Sequence, residues 1–213
     1  ALYEAGGMEL IYEDTIEKSA FLSNLGLNLN LAPVVDVATS ASDYMYERTL
    51  KQNTSLTCEY AKTVIQASKG TSVSYTMKHF PGYGNNADTH VGEGYDVRSY
   101  EDLLQYDIPP FEAGITSGGE AILVSHNVVS SMDDSNPASL SLEVHRFLRE
   151  ELGFSGVIIT DDIAMDALDN VSDIGGKAMI AGNDLIITTD YVQCFDSIQT
   201  AIENGTLKEE QLD

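Results

Sequence analysis

The chain has 213 residues, and its 11 Lys and Arg against 34 Asp and Glu give a formal net charge of −23 at pH 7. This acidic balance argues against a partner rich in phosphate, such as a nucleic acid or an anionic membrane surface. A hydrophobic fraction of 43% and a charged fraction of 21% are typical of a globular chain with a core. The apolar runs are strand-sized, whereas a membrane span needs about 20 residues. A neutral small molecule is therefore the simplest partner to expect.

Short apolar runs alternate with longer amphipathic stretches along the chain. The runs that predict strands are 27–37, 73–80, 121–126, 156–161 and 184–189. The stretches that predict helices are 10–25, 53–68, 101–117, 141–152, 174–182 and 191–204. The strands are almost continuously apolar, which is typical of a parallel sheet covered on both faces. We therefore predict an α/β fold, with a single domain over residues 1–213.

The number of strands limits how complete this fold can be. A closed (β/α) barrel of the TIM type has eight strands and takes about 250 residues, whereas the periodicity predicts five strands here. The chain also opens without Met, inside a helical pattern. We therefore expect a TIM-type barrel that is incomplete in this chain, with N-terminal strands missing.

The cysteines and histidines favour a site without a cofactor. Cys58 and Cys194 lie far apart within helical patterns, so we expect free thiols that are buried or partly buried, with one disulfide as the alternative. The four histidines show neither HxH nor HExxH spacing, so we expect no metal and no other cofactor. No signal peptide is visible, and both a cytoplasmic and an exported location stay open.

Polar side chains lie at the carboxyl ends of the predicted strands, where parallel sheets bind ligands. These residues are Asp36, Lys78, His79, Ser125, His126, Asp161 and Asp162. Several strands delivering such groups to one edge indicate a binding or catalytic site.

The loop after the second predicted strand contains a carboxylate and an imidazole two residues apart, Asp88 and His90. A carboxylate beside a histidine fixes its tautomer and stabilises the imidazolium, so His90 could move protons near neutral pH. The alternative interpretation is that both side chains only cap turns.

The fourth predicted strand ends in two adjacent carboxylates, Asp161 and Asp162. Neighbouring side chains on a strand point in opposite directions, so one should face the site and the other should cap the next segment of the chain. The alternative interpretation is an N-cap for a helix over 163–168.

Several motifs, in this order, resemble the N-terminal (β/α)-barrel domain of glycoside hydrolase family 3, in particular its β-N-acetylhexosaminidase branch. They are LNLAPVVDV at 29–37, YERTL at 46–50, KHFPGYG at 78–84, ADTH at 87–90, PASLS at 137–141 and ELGFSGVIITDD at 151–162, followed by Met165. The resemblance implies a retaining exo-acting β-N-acetylglucosaminidase that removes terminal β-linked N-acetylglucosamine (GlcNAc) from a carbohydrate substrate.

The same resemblance implies a role for individual residues. Asp161 would be the catalytic nucleophile, and His90 with Asp88 would form the acid/base dyad. The residues that would bind the sugar hydroxyls are Arg48, Lys78 and His79.

The chain departs from the family pattern in three respects. Tyr83 replaces the second histidine of the KHFPGHG motif, and the loop after it is one residue shorter, with Thr89 in place of serine. The early D-x-E-G-G motif has no counterpart, because Gly6 and Gly7 lie within a helical pattern.

Other residues near these motifs have less specific interpretations. We expect Asp36 to hold the adjacent loop or Arg48, with direct ligand binding as the alternative. His126 could line the site or make a structural hydrogen bond, and His145 is expected on a helix surface. A tyrosine could stack on a sugar ring, and the candidates are Tyr44, Tyr46 and Tyr83.

Alternative functions stay open from the sequence. A β-glucosidase or a glycoside phosphorylase of the same family would share these motifs, and phosphate-dependent turnover would identify the phosphorylase. A catalytically silent barrel fragment would bind sugar, or a complementing segment, without turnover. The oligomeric state is not indicated.

Overall fold

The structure is a computed structural model that describes residues 1–84, 94–208 and 211. Asp88 and His90 lie outside the described residues. The contacts between residues divide the chain into two compact units. Unit 1 comprises Ala1–Asn85 and Glu101–Leu123, and unit 2 comprises Asn86–Tyr100 and Val124–Asp213.

Unit 1 contains two long helices and three strands. They are α1 Leu2–Asn24, β1 Leu29–Asn30, α2 Thr54–Ser68, β2 Ser74–Phe80 and β4 Ala121–Val124. The last residue of β4, Val124, belongs to unit 2. Between β2 and β4 the chain forms β3 Tyr95–Asp96 in unit 2, a short helical turn α3 Tyr100–Asp102, a π-helical turn Leu103–Asp107 and α4 Ile108–Thr116. Strand β2 lies between β1 and β4, and helix α2 packs against α1 and α4.

Local sequence signals explain where the unit 1 elements begin and bend. The side chain of Asn53 accepts a hydrogen bond from the Leu56 backbone N–H at 3.0 Å, which starts α2 as an N-cap. Helix α1 is kinked at Gly6 and Gly7, where Gly7 has a φ of +63°. Strand β1 pairs with β2 in parallel, and a bridge between Val34 and Lys78 continues the pairing.

Unit 2 contains short strands and helices in alternation. They are β5 Val128–Val129, α5 Leu142–Arg146, β6 Val157–Asp162, α6 Ile174–Ala181, β7 Leu185–Ile187 and α7 Tyr191–Glu203. Strands β6 and β7 are parallel, with Ile159 opposite Leu185 and Asp162 opposite Ile187. Strands β3 and β5 form a second parallel pair, and α6 packs against α7.

The prediction of an α/β fold is confirmed, since each predicted strand region contains an observed strand and each predicted helical stretch contains a helix. Strand β1 is shorter than predicted, because Pro33 in this region has no N–H to donate to a ladder. Strands β3 and β5 were not predicted, since two residues show no periodicity. The two cysteines are free, Cys58 partly buried and Cys194 buried, so the disulfide alternative is wrong.

None of the helices among the described residues has both the length and the apolar character that a membrane crossing requires.

Candidate active site

The carboxylate of Asp36 holds the turn after strand β2 in unit 1. Its Oδ2 accepts hydrogen bonds from the backbone N–H of His79 at 3.1 Å and from Nδ1 of His79 at 2.8 Å. Its Oδ1 accepts from the backbone N–H of Tyr83 at 2.8 Å. Asp36 is only 2% exposed and both of its carboxylate oxygens accept protein N–H groups, which favours the structural role over direct ligand binding. The expectation that Asp36 holds the adjacent loop is confirmed.

This arrangement also fixes the tautomer of His79. A carboxylate oxygen that already accepts a backbone N–H acts only as an acceptor, so Nδ1 of His79 carries a proton. In the neutral ring Nε2 is then an acceptor. The backbone around this histidine is defined by two cis peptide bonds, Lys78–His79 and Phe80–Pro81.

Tyr83 belongs to the core of unit 1. It is 2% exposed and forms a buried cluster with Ala38 and Met45. Its ring also meets the edge of His79, with centroids 5.6 Å apart. The prediction that Tyr83 could stack on a sugar is therefore wrong, because both ring faces are covered by protein. Tyr44 keeps 37% exposure, and its ring centroid lies 5.7 Å from that of Tyr83.

Arg48 is exposed and ends a 3₁₀ turn, Tyr46–Arg48. Its Nη1 contacts Sδ of Met45 at 3.7 Å, and Met45 belongs to the same buried cluster as Tyr83. Arg48 also lines a cavity of about 420 Å³ within unit 1, together with Lys18 and Tyr60. Burial raises the pKa of Tyr60 to about 12, so its hydroxyl stays protonated at neutral pH.

Lys78 lies on β2 and is half-buried. Its backbone N–H donates to the carbonyl of Pro33 at 3.1 Å, and its carbonyl accepts from the N–H of Val35 at 2.8 Å. The segment that carries Asp36 is thus fastened directly to Lys78. Unit 1 therefore brings Asp36, Lys78 and His79 together.

The two carboxylates at the end of β6 in unit 2 have different surroundings. Oδ1 of Asp162 accepts the backbone N–H of Ala164 at 3.0 Å, which caps the turn after the strand. Oδ1 of Asp161 accepts the N–H of Asp162 at 2.9 Å, and this is its single hydrogen bond among the residues that the structure describes. Both side chains are half-buried. The prediction that one carboxylate of the pair caps the next turn is confirmed for Asp162.

His126 makes structural hydrogen bonds within unit 2. It is 1% exposed, its Nε2 lies 2.9 Å from the carbonyl of Asp162, and its Nδ1 lies 2.7 Å from Oγ of Ser139. Of the two interpretations left open by the sequence, the structure supports the hydrogen-bonding one. Ser139 was not singled out from the sequence, where it is one serine of the PASLS motif.

The prediction of a surface position for His145 is wrong. This residue of α5 is 2% exposed, and its Nδ1 donates to the carbonyl of Ser141 at 2.7 Å. Burial lowers the pKa of His145 below its usual range. The neutral imidazole of His145 can be buried in unit 2 because it needs no partner of opposite charge.

The predicted site residues are thus divided between the two units. Arg48, Lys78 and His79 lie in unit 1, Asp161 lies in unit 2, and Asp88 and His90 lie outside the described residues. Over residues 1–84, 94–208 and 211, no group of three or more His, Cys, Asp or Glu side chains could hold a metal ion.

The family model described as "Glycosyl hydrolase family 3 N terminal domain" matches residues 1–213. The chain belongs to this family. A β-hexosaminidase of Xanthomonas campestris pv. campestris (strain B100) is 31% identical over 186 residues, which cover 85% of this chain and 56% of that protein. A β-hexosaminidase of Xylella fastidiosa (strain M23) is 32% identical over 185 residues, which cover 84% of this chain and 55% of that protein.

Two solved structures of similar proteins have the same fold. A family 3 β-N-acetylglucosaminidase from Paenibacillus sp. str. FPU-7 matches with a TM-score of 0.93 at 28% identity, covering 100% of this chain and 42% of that chain. A β-N-acetylhexosaminidase from Beutenbergia cavernae DSM 12333 matches with a TM-score of 0.84 at 27% identity, covering 94% of this chain and 63% of that chain. The likeness to the family 3 fold confirms the predicted TIM-type α/β class.

This glycoside hydrolase family 3 chain spans about half the length of the curated relatives it matches. The similarity therefore identifies the family and the fold of this part.

Proposed function

We propose that residues 1–213 form the barrel domain of a retaining exo-acting β-N-acetylglucosaminidase, which hydrolyses terminal β-linked GlcNAc. Family membership and relatives named β-hexosaminidase support a glycoside hydrolase. The observation that supports the mechanism is that the two carboxylates at the end of β6, Asp161 and Asp162, have different hydrogen-bond partners. Asp162 caps the turn, whereas the Asp161 carboxylate keeps oxygen lone pairs for a substrate.

In the proposed first step, a carboxylate oxygen of Asp161 attacks the anomeric carbon of the terminal sugar. The bond from that carbon to the leaving oxygen breaks, and His90 gives its proton to the leaving oxygen. The product of this step is a covalent glycosyl-enzyme on Asp161. A carboxylate nucleophile on one face of the sugar and a proton donor on the other are the groups that retention requires.

In the second step, His90 accepts a proton from water, and the water oxygen attacks the anomeric carbon. The bond to Asp161 breaks, which releases the sugar with its original configuration and restores both groups. Asp88 would hold His90 in one tautomer and stabilise the imidazolium form, which is present before the first step and again after the second. Two inversions at the same carbon give net retention.

Arg48, Lys78 and His79 are proposed to bind the hydroxyls of the terminal sugar. The side chain of His79 is 3% exposed and Asp36 holds its Nδ1, so Nε2 is the ring nitrogen that would meet a sugar hydroxyl. Arginine and lysine offer several donors each, and Arg48 is exposed and lines a cavity of unit 1. Donors on Arg48 and Lys78 would bind further hydroxyls of the same sugar.

The test is the stereochemistry of the first product. The chain is incubated with an aryl β-GlcNAc glycoside in an NMR tube, and the anomeric proton of the released sugar is followed before mutarotation. We expect β-GlcNAc first, and the same result with and without phosphate. The α-anomer first, or no hydrolysis by a chain that melts cooperatively, would contradict the proposal. A sugar 1-phosphate formed only with phosphate would indicate the phosphorylase instead.

A further inference from the structure

Within unit 2, the buried side chain of His126, which follows β4, is hydrogen-bonded to the backbone at the end of β6. His126 lies two residues after β4, and its Nε2 is 2.9 Å from the carbonyl oxygen of Asp162, the residue directly after Asp161. A carbonyl oxygen has no proton to give, so Nε2 of His126 is the donor. Nε2 of His126 is therefore protonated whatever the charge of the ring.

Ser139 fixes the other side of the ring. Its hydroxyl lies 2.7 Å from Nδ1 of His126, and in the neutral tautomer it donates to that nitrogen. The backbone of Ser139 is itself fastened, because its N–H donates to the carbonyl of Ser125 at 2.9 Å and its carbonyl accepts from Nδ2 of Asn183 at 2.8 Å. The serine, the histidine and Asn183 are buried, which keeps water from competing for these bonds.

The residue that His126 grips also orients the carboxylate of Asp161. The N–H of Asp162 donates to Oδ1 of Asp161 at 2.9 Å, and its side chain caps Ala164. The carbonyl of Asp162 accepts a second bond, from the N–H of Met165 at 3.1 Å. A shift of the Asp162 backbone would therefore move the donor that sets the direction of the Asp161 carboxylate.

We propose that His126, oriented by Ser139, is a positioning residue that aims the Asp161 carboxylate for attack. The inference rests on the proposed function, in which Asp161 is the nucleophile. His126 acts through the Asp162 backbone and does not itself touch the substrate. A misplacement of a reacting group by 1 Å can cost about a hundredfold in rate, so a positioning contact has a measurable kinetic effect.

Two conservative variants separate the two nitrogens of the ring. In His126→Gln the amide nitrogen can reach the place of Nε2 and donate to the Asp162 carbonyl. In His126→Asn the shorter side chain reaches the place of Nδ1, so it keeps a partner for Ser139 and loses the donor to Asp162. The two variants therefore differ in the contact that the proposal invokes.

The measurement is the pre-steady-state burst of phenol released from an activated aryl β-GlcNAc glycoside. This burst reports formation of the glycosyl-enzyme. We expect His126→Asn to slow the burst by about tenfold to a hundredfold, with an unchanged dissociation constant for the substrate. His126→Gln should restore the rate to within about threefold of the unchanged chain. Loss in both variants alike, or in neither, would overturn the positioning role.

A second variant covers the case in which His126→Asn does not melt cooperatively. Ser139→Ala keeps the histidine and removes the group that orients it, so we expect a slower burst with an unchanged dissociation constant. A burst at the original rate in folded Ser139→Ala would overturn the proposal. The failure of the underlying function is recognised separately, because the unchanged chain would then show no burst at all, and the positioning role would fall with it.

Discussion

The turns after strands β2 and β6 are each held by an aspartate carboxylate, but the contacts of the two carboxylates span different distances along the sequence. At the end of β2, the carboxylate of Asp36 accepts three hydrogen bonds from residues more than forty positions away along the chain. At the end of β6, the carboxylate of Asp162 accepts the N–H of Ala164, two positions away. The first turn is held by a buried long-range contact and the second by a local cap with His126 behind it. Removing the carboxylate should therefore affect the fold far more at the first strand end.

The largest effect is expected on activity, at the end of β6. Asp161→Asn replaces the proposed nucleophile with an amide of the same shape, so we expect hydrolysis of an aryl β-GlcNAc glycoside to fall by at least about a thousandfold. Asp162→Asn is the matched control, because it changes the neighbouring carboxylate and leaves Asp161 in place. Steady-state rates of both variants check this, and equal losses would contradict the assignment of the two roles.

The largest effect on stability is expected at the end of β2. Asp36→Ala leaves the buried Nδ1–H of His79 and two backbone N–H groups without their acceptor. Each buried donor left without an acceptor costs about 1–3 kcal/mol of unfolding free energy. Urea denaturation measures the loss. Asp43→Ala is the control, because that side chain accepts an N–H at an exposed position, and a similar cost at both positions would contradict the account.

A smaller loss of stability is expected at the end of β6. Asp162→Ala removes a local cap, and caps of this kind contribute about 1 kcal/mol. Urea denaturation of Asp36→Ala and Asp162→Ala under the same conditions compares the two stability losses directly. A loss at Asp162 as large as that at Asp36 would show that local capping and long-range burial are equivalent here.

The smallest effect concerns pH. Burial lowers the pKa of His145 in the folded chain, so below the ordinary histidine pKa of about 6.5 the unfolded chain takes up a proton that the folded chain refuses. This contribution to stability is complete above that pH and is lost as the pH falls towards the folded pKa, by at most about 1.4 kcal/mol per pH unit. Denaturation at pH 7 and pH 5 measures it.

His145→Asn is the variant that isolates this histidine. The asparagine amide can still donate to the carbonyl of Ser141, as Nδ1 does, but it does not titrate. We expect the variant to lose less stability between pH 7 and pH 5 than the unchanged chain loses. Identical losses would mean that His145 contributes nothing to the acid sensitivity.

Local patterns were sufficient to predict the longer helices, five of the strands and one carboxylate role. Apolar runs and helical periodicity located the strands and helices, because burial on both faces and a 3.6-residue period are local properties of the sequence. The adjacent carboxylates at the end of β6 predicted a cap, since neighbouring residues of a strand point in opposite directions. Asp36 was correctly expected to hold a loop.

Contacts between distant segments could not be predicted in the same way. His145 lies near Gly182, where an added Cβ would be 3.4 Å from the Cβ of the histidine, and nothing within α5 indicates that neighbour. The bond from His126 to the Asp162 carbonyl joins residues 36 positions apart, and Tyr83 is covered by Met45 and Ala38. Such pairs depend on how the elements pack, which periodicity does not specify.

A covalent trap shows directly which residue is the nucleophile. The chain is incubated with a fluorinated GlcNAc derivative whose glycosyl-enzyme hydrolyses slowly, and the intact mass is measured before peptide mapping. With Asp161 as the nucleophile, we expect one added sugar, on the peptide that contains Asp161, and no added mass in Asp161→Asn. An adduct on another residue, or no adduct on a chain that melts cooperatively, would contradict this assignment.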